Sequence, residues 1–306
     1  MRKNKRSICR FAKVLCFSCL FFFLSLTPYH ISAEENLSRP SRETRPKEGM
    51  SVDEFMKVSY HIKYVKDCKD YYCVGGIYLV DKKGFERKRR WKRYRIILDR
   101  LKDGIEYKDM IVITSPQNIK GLAILTWTYL DPKRDQDVWL WLPSLRKIRR
   151  MSQSESDDSF FGSDWTYEEV ATRKWENETY HLLGEQDFPG YTSRYTHEEC
   201  NRGTKCYLVE AKPKKKDWYY MKRNIYLEKE TARNIFEELY NNKGVKIKIM
   251  SRFWGEFGGP YATEDYIEVI DTRTQHMSNL DVEEVKYDQG IQENFFTERT
   301  LMRSKW

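Results

Sequence analysis

No local catalytic pattern occurs in this chain of 306 residues. The nucleophile elbow G-x-S-x-G, the zinc-protease helix H-E-x-x-H, the phosphate-binding loop and the dinucleotide fingerprint G-x-G-x-x-G are all missing. Histidine is scarce, at five residues. Four of these, His61, His181, His197 and His276, stand at scattered spacings that assemble no base or metal set. The acidic pairs Glu168/Glu169 and Glu283/Glu284 are adjacent in sequence, which is not the geometry of a hydrolase dyad. These absences argue against an enzyme built on a local motif. No metal or organic cofactor is expected.

The N-terminus accounts for most of the basic excess. Arg2, Lys3, Lys5, Arg6, Arg10 and Lys13 precede an apolar run from Val14 to Leu26, and Ser32-Ala33 offers a small-residue cleavage site. Together they read as a secretory signal peptide over residues 1–33. The run is short for a membrane span, which needs roughly 20 apolar residues; an uncleaved anchor is the alternative. Without those six basic residues the net charge falls from +9 to +3, which removes the concentrated basic face that a nucleic-acid partner would need. Export predicts a periplasmic location. Of seven cysteines, Cys68, Cys73, Cys200 and Cys206 lie past the signal, an even count that fits two disulfides. The expected pairing is local, Cys68–Cys73 and Cys200–Cys206, since each pair brackets a turn-like stretch. A metal site of His197 with Cys200 and Cys206 lacks a fourth ligand.

Residues 34–50 are polar and read as a flexible linker. Ser51, with Glu54 in the capping-box position, starts a short amphipathic helix, and residues 51–306 are expected to form one domain. Strand candidates follow one another at Val74–Asp81, Phe85–Leu98, Asp109–Thr114, Gly121–Tyr129, Asp137–Leu142 and Lys147–Met151. They resume at Thr179–Gln186, Thr204–Ala211, Trp218–Glu228, Asn234–Tyr240, Val245–Glu256 and Ala262–Asp271. Short turn signals separate them, which argues for an antiparallel, barrel-like meander. Two further helices are expected, Trp165–Thr172 capped by Ser163 or Asp164, and Asn294–Arg303.

The most informative stretch runs from Asp137 to Val170, DVWLWLPSLRKIRRMSQSESDDSFFGSDWTYEEV. In Trp139-Leu140-Trp141-Leu142 both strand faces are apolar, so the second face must be covered, by a bound ligand or by a lid helix. With nine Trp and 21 Tyr, aromatic side chains can fill a sheet core or line a cavity inside a curved sheet. Trp127, Trp139, Trp141, Phe160, Phe161 and Trp165 are the expected lining. Arg146, Lys147, Arg149 and Arg150 either hold an anionic headgroup or docking partner or pair with Glu155, Asp157 and Asp158 in the next loop. Phe160-Phe161-Gly162 is either a mobile lid or a turn that plugs the core. Lys212-Pro-Lys-Lys-Lys216 is a solvated hairpin tip or a contact for anionic lipid headgroups.

The stretch from Val138 to Val170 resembles the signature of the outer-membrane lipoprotein-sorting, LolA-like, proteins. Gly84 to Arg95, Ser115-Pro-Gln-Asn-Ile-Lys-Gly121 and Asn294-Phe-Phe-Thr-Glu-Arg-Thr-Leu301 extend the resemblance over the chain from about Ser51 onward. It implies a mainly β fold, a strongly curved antiparallel sheet forming an incomplete, half-open β-barrel with a few covering helices over an apolar cavity. It also implies carriage of lipoprotein acyl chains or a related lipid through the periplasm. In the family's carrier a sheet arginine governs lid opening; none of Arg146, Arg149 and Arg150 is assigned that role. Relatives in the broader group look like companions of RND-type lipid exporters, which gives the alternative of a non-catalytic accessory subunit docking through a Trp/Arg surface.

Overall fold

A computed structural model describes residues 45–303, apart from 65, 101–102, 153–154 and 258–260. The export segment expected at 1–33, and most of the expected linker, lie outside the described residues. Helix α1, Val52–Lys63, begins as its sequence dictates. The Glu54 amide donates to Ser51 Oγ at 3.3 Å and the Ser51 amide to Glu54 Oε2 at 2.8 Å, so two donors that the first turn would strand are satisfied reciprocally. Phe55, Met56 and Val58 bury against Val209, Ala211, Ile225 and Leu227. Among the described residues no helix is long and apolar enough to cross a membrane.

The strands are β1 Asp70–Val80, β2 Glu86–Arg100, β3 Ile105–Ser115, β4 Ala123–Tyr129, β5 Asp137–Leu142, β6 Lys147–Arg150, β7 Glu178–Asp187, β8 Tyr191–Thr192, β9 Glu199–Cys200, β10 Lys205–Pro213, β11 Lys222–Glu228, β12 Asn234–Tyr240, β13 Lys246–Glu256, β14 Ala262–Asp271 and β15 Met277–Tyr287. Helix α2 is Tyr167–Val170 and α3 is Glu298–Leu301. Thirteen strands form one antiparallel sheet in the order β6-β5-β4-β3-β2-β1-β15-β14-β13-β12-β11-β10-β7, while β8 and β9 pair separately. Two meanders, β1 to β6 and β10 to β15, are joined where the first strand pairs with the last. At that seam a bulge falls between Val74 and Gly75, and a Cβ on Gly75 would collide with the Asp281 carbonyl oxygen. Glycine is what lets the two strands stay this close.

The sheet is not closed. Its edges are β6 and β7, which are consecutive in the chain yet at opposite ends of the strand order. Residues 151–177 therefore run from one edge to the other, carrying α2 with them.

The principal core gathers one face of the strands, including Ile77, Leu79, Trp91, Ile113, Ile124, Leu239, Met250 and Val269. That face also carries charge. Arg95, only 1% exposed, and Arg93 both hold Asp109, with Arg93 Nη2 at 2.6 Å. Glu106 binds Lys66 at 2.5 Å, together with Lys174 and the Tyr60 hydroxyl. Glu237 joins Arg223 and Arg252. Buried ions persist only when paired in this way. The lysines of Val245-Lys-Ile-Lys-Ile249 do not all face water: Lys248 is buried and meets Glu169 at 2.8 Å.

The expectation of two local disulfides is not met, since no disulfide joins the described cysteines. Cys68 and Cys73 pack into the principal core as small apolar groups. Burial pushes the thiols of Cys68, Cys73 and Cys206 up to about 12. The 200–206 turn is closed without a bridge: the Thr204 amide donates to the Asn201 carbonyl at 3.2 Å, and the Gly203 amide ties the turn to the Phe188 carbonyl at 2.9 Å.

Candidate ligand-binding cleft

A cleft of about 480 Å³ opens where the sheet fails to close. Its walls come from both sides of the gap. Ile124 of β4 and Val138 of β5 stand on one side, Glu178 of β7 and Pro213 of β10 on the other. The crossing segment supplies Met151, Ser152, Ser156, Tyr167, Ala171, Thr172 and Arg173, and the β10–β11 connection supplies Lys214, Lys215, Trp218 and Tyr220. Ile124, Val138, Met151, Ala171 and Trp218 give an apolar surface, and Lys133, Lys214 and Lys215 add cations beside the acids Asp135, Glu168, Glu176 and Glu178.

Local bonds fix this geometry. Thr166, not Ser163 or Asp164, caps α2: its Oγ1 accepts from the Glu169 amide at 3.1 Å, and Glu169 Oε2 accepts from the Thr166 amide at 2.8 Å. Gln136 Nε2 donates to the Thr172 carbonyl at 2.8 Å, tying the β4–β5 loop to the crossing segment. Arg173 is held at both ends, its amide by the Tyr64 hydroxyl at 2.9 Å and its guanidinium by Glu168 at 2.7 Å and the Tyr219 hydroxyl at 2.5 Å. Glu178 accepts from the Tyr220 hydroxyl and from Arg223 Nε, both at 2.8 Å. Burial opposes ionisation of Glu178, but Arg223 outweighs it and holds the carboxyl below the usual range. Lys214 Nζ donates to the Glu176 carbonyl at 2.7 Å, and Lys215 Nζ stands 4.4 Å from the centre of the Trp218 ring. Glu176 Oε2 is buried in the wall with no hydrogen-bond partner. The charged wall is thus largely satisfied internally, and it presents a fixed shape to whatever enters.

The aromatic residues expected to line a cavity are elsewhere. Trp127, Trp139 and Trp141 pack on the opposite face of β4 and β5, among Met110, Val112, Leu125, Phe296 and Leu301. Strand alternation is the reason: with Ile124 and Val138 facing the cleft, neighbours one residue away must face outward. The covering group on that face is the C-terminal segment, not a ligand. Trp127 Nε1 donates to the Phe296 carbonyl at 3.2 Å, and Lys108 Nζ lies 3.7 Å from the Trp127 ring centre. Phe160 and Trp165 are buried in the principal core, and Phe161 packs against it. Tyr167, which does line the cleft, meets the Phe160 and Phe161 rings edge-on at 5.4 and 6.0 Å, so these residues back the wall. Asp164 secures the same turn by accepting from Ser278 Oγ at 2.6 Å and meeting His276 Nδ1 at 2.7 Å.

Arg146, Lys147, Arg149 and Arg150 are all exposed on the β5–β6 turn and edge strand β6. Arg149 pairs with Glu155 and Arg150 with Asp137. They precede Met151 and Ser152 in the chain without themselves lining the cleft. Sequence reading missed Tyr167, Arg173, Trp218 and Tyr220 as cleft residues. The signal for Trp218 was its position just after the 212–216 cationic run.

The unclosed antiparallel sheet, with a cleft at its opening, is a fold shared with several solved structures. The chain is similar to an outer membrane lipoprotein-sorting protein domain from Vibrio parahaemolyticus, with TM-score 0.70 and 19% identity over 82% of this chain and 98% of that one. It is similar to a DUF1329 family protein from Desulfovibrio piger, with TM-score 0.67 and 23% identity over 80% and 98%. A LolA superfamily protein from Nitrosomonas europaea gives TM-score 0.60 and 15% identity over 82% and 99%. A family model with the description "-like: Uncharacterized protein" matches residues 106–303, more than half of the chain, and the chain belongs to that family. Comparison with curated proteins gives no match.

Proposed function

We propose that this protein is a non-catalytic periplasmic carrier, a half-open barrel that shields an acyl chain or a related lipid group in the cleft. The observation that carries the reading is the cleft itself: about 480 Å³, apolar on one surface, at the opening of the sheet. That size lies within the usual range of small-molecule sites. The neighbours, a lipoprotein-sorting protein domain and a LolA superfamily protein, support the lipid class, and the export segment expected from the sequence supports the compartment. Helix α1 and the buried ion pairs occupy much of the sheet's inner face, so the acyl chain belongs at the mouth and not in a deep lumen. Each methylene shielded stabilises the complex by roughly 0.8 kcal/mol. Val138, Met151 and Trp218 would hold the chain, and Lys133, Lys214 and Lys215 an anionic head. The accessory-subunit alternative needed an open Trp surface, and Trp127, Trp139 and Trp141 are covered by residues 291–301.

Uptake of a fluorescent fatty acid tests the proposal. The parent protein is expected to bind, and Val138→Asp and Trp218→Asp to lose binding while still folded. Binding unaffected by either substitution would overturn the assignment of the cleft.

A further inference from the structure

The meander places three hairpin tips at one end of the sheet. Strand order β6-β5-β4-β3-β2-β1 is antiparallel throughout, so the β1–β2, β3–β4 and β5–β6 turns all fall on the same rim. Adjacent strands lie about 4.8 Å apart, which spaces successive tips by roughly 10 Å along that rim. The β1–β2 tip is closed by the Gly84 amide donating to the Asp81 carbonyl at 2.9 Å, and the β5–β6 tip by the Arg146 amide donating to the Pro143 carbonyl at 3.2 Å. Both tips present a large apolar side chain to water. Phe85 is 66% exposed and Leu145 62% exposed, more than any other large apolar side chain among the described residues. Neither is needed to fill the core.

Cations surround them. Lys82, Lys83 and Lys88 are exposed beside Phe85, Arg146 and Lys147 beside Leu145, and Lys120 on the β3–β4 tip between the two. The cations outnumber the acids Asp81 and Glu86 beside the β1–β2 tip. Asp81 Oδ1 accepts from the Lys83 and Phe85 amides at 2.8 and 2.9 Å, and Glu86 accepts from the Tyr195 hydroxyl at 2.9 Å. Residues 116–121 and 143–150 contain no acid. A bare polyanion would need only the cations. Exposed Phe and Leu at protruding tips, each flanked by lysine or arginine, match a surface that is anionic outside and apolar just beneath.

We propose that this rim docks the protein on an anionic phospholipid bilayer, with Phe85 and Leu145 entering the headgroup boundary and the lysines and arginines around them pairing with lipid phosphates. This goes beyond the carrier reading and does not depend on it, because Lys82, Lys83, Phe85, Lys120, Leu145 and Lys147 do not line the cleft.

Co-sedimentation with vesicles tests it, using protein purified from cells that produce the full chain. All variants then share the parent's N-terminus, so differences report on the tips. The parent is expected to pellet with vesicles of phosphatidylcholine and phosphatidylglycerol, to pellet much less with phosphatidylcholine alone, and to be released by about 0.5 M salt. Phe85→Ser with Leu145→Ser should weaken binding roughly tenfold at unchanged thermal stability, and Lys82→Glu with Lys83→Glu at least about fivefold. Val138→Asp should pellet like the parent. Equal pelleting with neutral vesicles would overturn the proposal, as would a Phe85/Leu145 double variant that binds like the parent. Binding of duplex DNA or heparin without vesicle binding would assign the rim to a soluble polyanion instead. Loss of vesicle binding in Val138→Asp would move the lipid contact to the cleft.

Discussion

Two neighbouring residues separate function from stability most sharply. Val138 lines the cleft, while Trp139 packs under the C-terminal segment. Val138→Asp is predicted to abolish acyl binding with little change in melting temperature. Trp139→Asp should do the reverse, costing about 2 kcal/mol or more by opening the outer apolar cluster and burying a charge; urea unfolding of both variants checks this. A second prediction concerns Asp265. Burial, with Asp281 close by, pushes its carboxyl up to about 6. A carboxyl raised in the folded state costs stability when ionised, and the cost disappears as pH falls through that value. Asp265→Asn should therefore raise the melting temperature at pH 7.5 and leave it unchanged at pH 4.5. At this scale the sequence was only partly legible. It showed that Trp139-Leu140-Trp141-Leu142 has two apolar faces, but not which face a ligand would meet. That is decided by where residues 291–301 return, a contact far along the chain.

Among the elements, strands were the most readable. Asp137–Leu142, Asn234–Tyr240 and Ala262–Asp271 have the boundaries expected from alternation and turn residues. β15 was missed: in Met277–Tyr287 the charged residues at 281, 283, 284 and 286 interrupt the apolar pattern. Its strand character comes from pairing on both sides, with β1 and β14. Helix α2 is shorter than expected because Asp164 is drawn to His276 and Ser278, leaving Thr166 to start the helix. The C-terminal element is a short cover whose grip is concentrated in a few side chains. Phe296 and Leu301 are fully buried, and Glu293 binds Arg100 at 2.8 Å and Lys108 at 2.7 Å. Phe296→Ala is predicted to cost about 3–5 kcal/mol and to shift Trp127 and Trp139 emission to the red. Unchanged emission would mean that the segment does not seal these rings.

For the whole molecule, the buried ion pairs set the response to acid. Burial alone would raise the carboxyls of Glu106, Asp109, Glu169, Glu178 and Glu237; the arginines and lysines against them outweigh it and hold each below its usual range. Groups depressed in this way stabilise the fold above their unfolded values, near 4 for carboxylates, and the stabilisation is lost as pH falls through the folded values. Between about pH 4 and 6.5 two half-buried groups act in opposite senses, Asp265, whose carboxyl is pushed up to about 6, and His61, whose imidazole burial pushes down to about 4, so stability should change little there and fall steeply below about pH 4. Urea midpoints measured across this range check the prediction. The general architecture, an antiparallel sheet of many strands, was legible from periodicity. The charged inner face was not, because an inward lysine such as Lys248 looks the same in sequence as a solvated one until its partner Glu169 is brought to it by the crossing segment.

The central claim, a lipid-shielding cleft at the opening of the sheet, is tested most directly by native mass spectrometry of the protein purified from cells producing the full chain, followed by lipid extraction. An acyl-containing mass is expected on the parent protein, lost in Val138→Asp and retained in a folded Trp139→Phe. A parent protein that carries no extra mass and takes up no acyl probe, or a cargo that survives Val138→Asp, would contradict it.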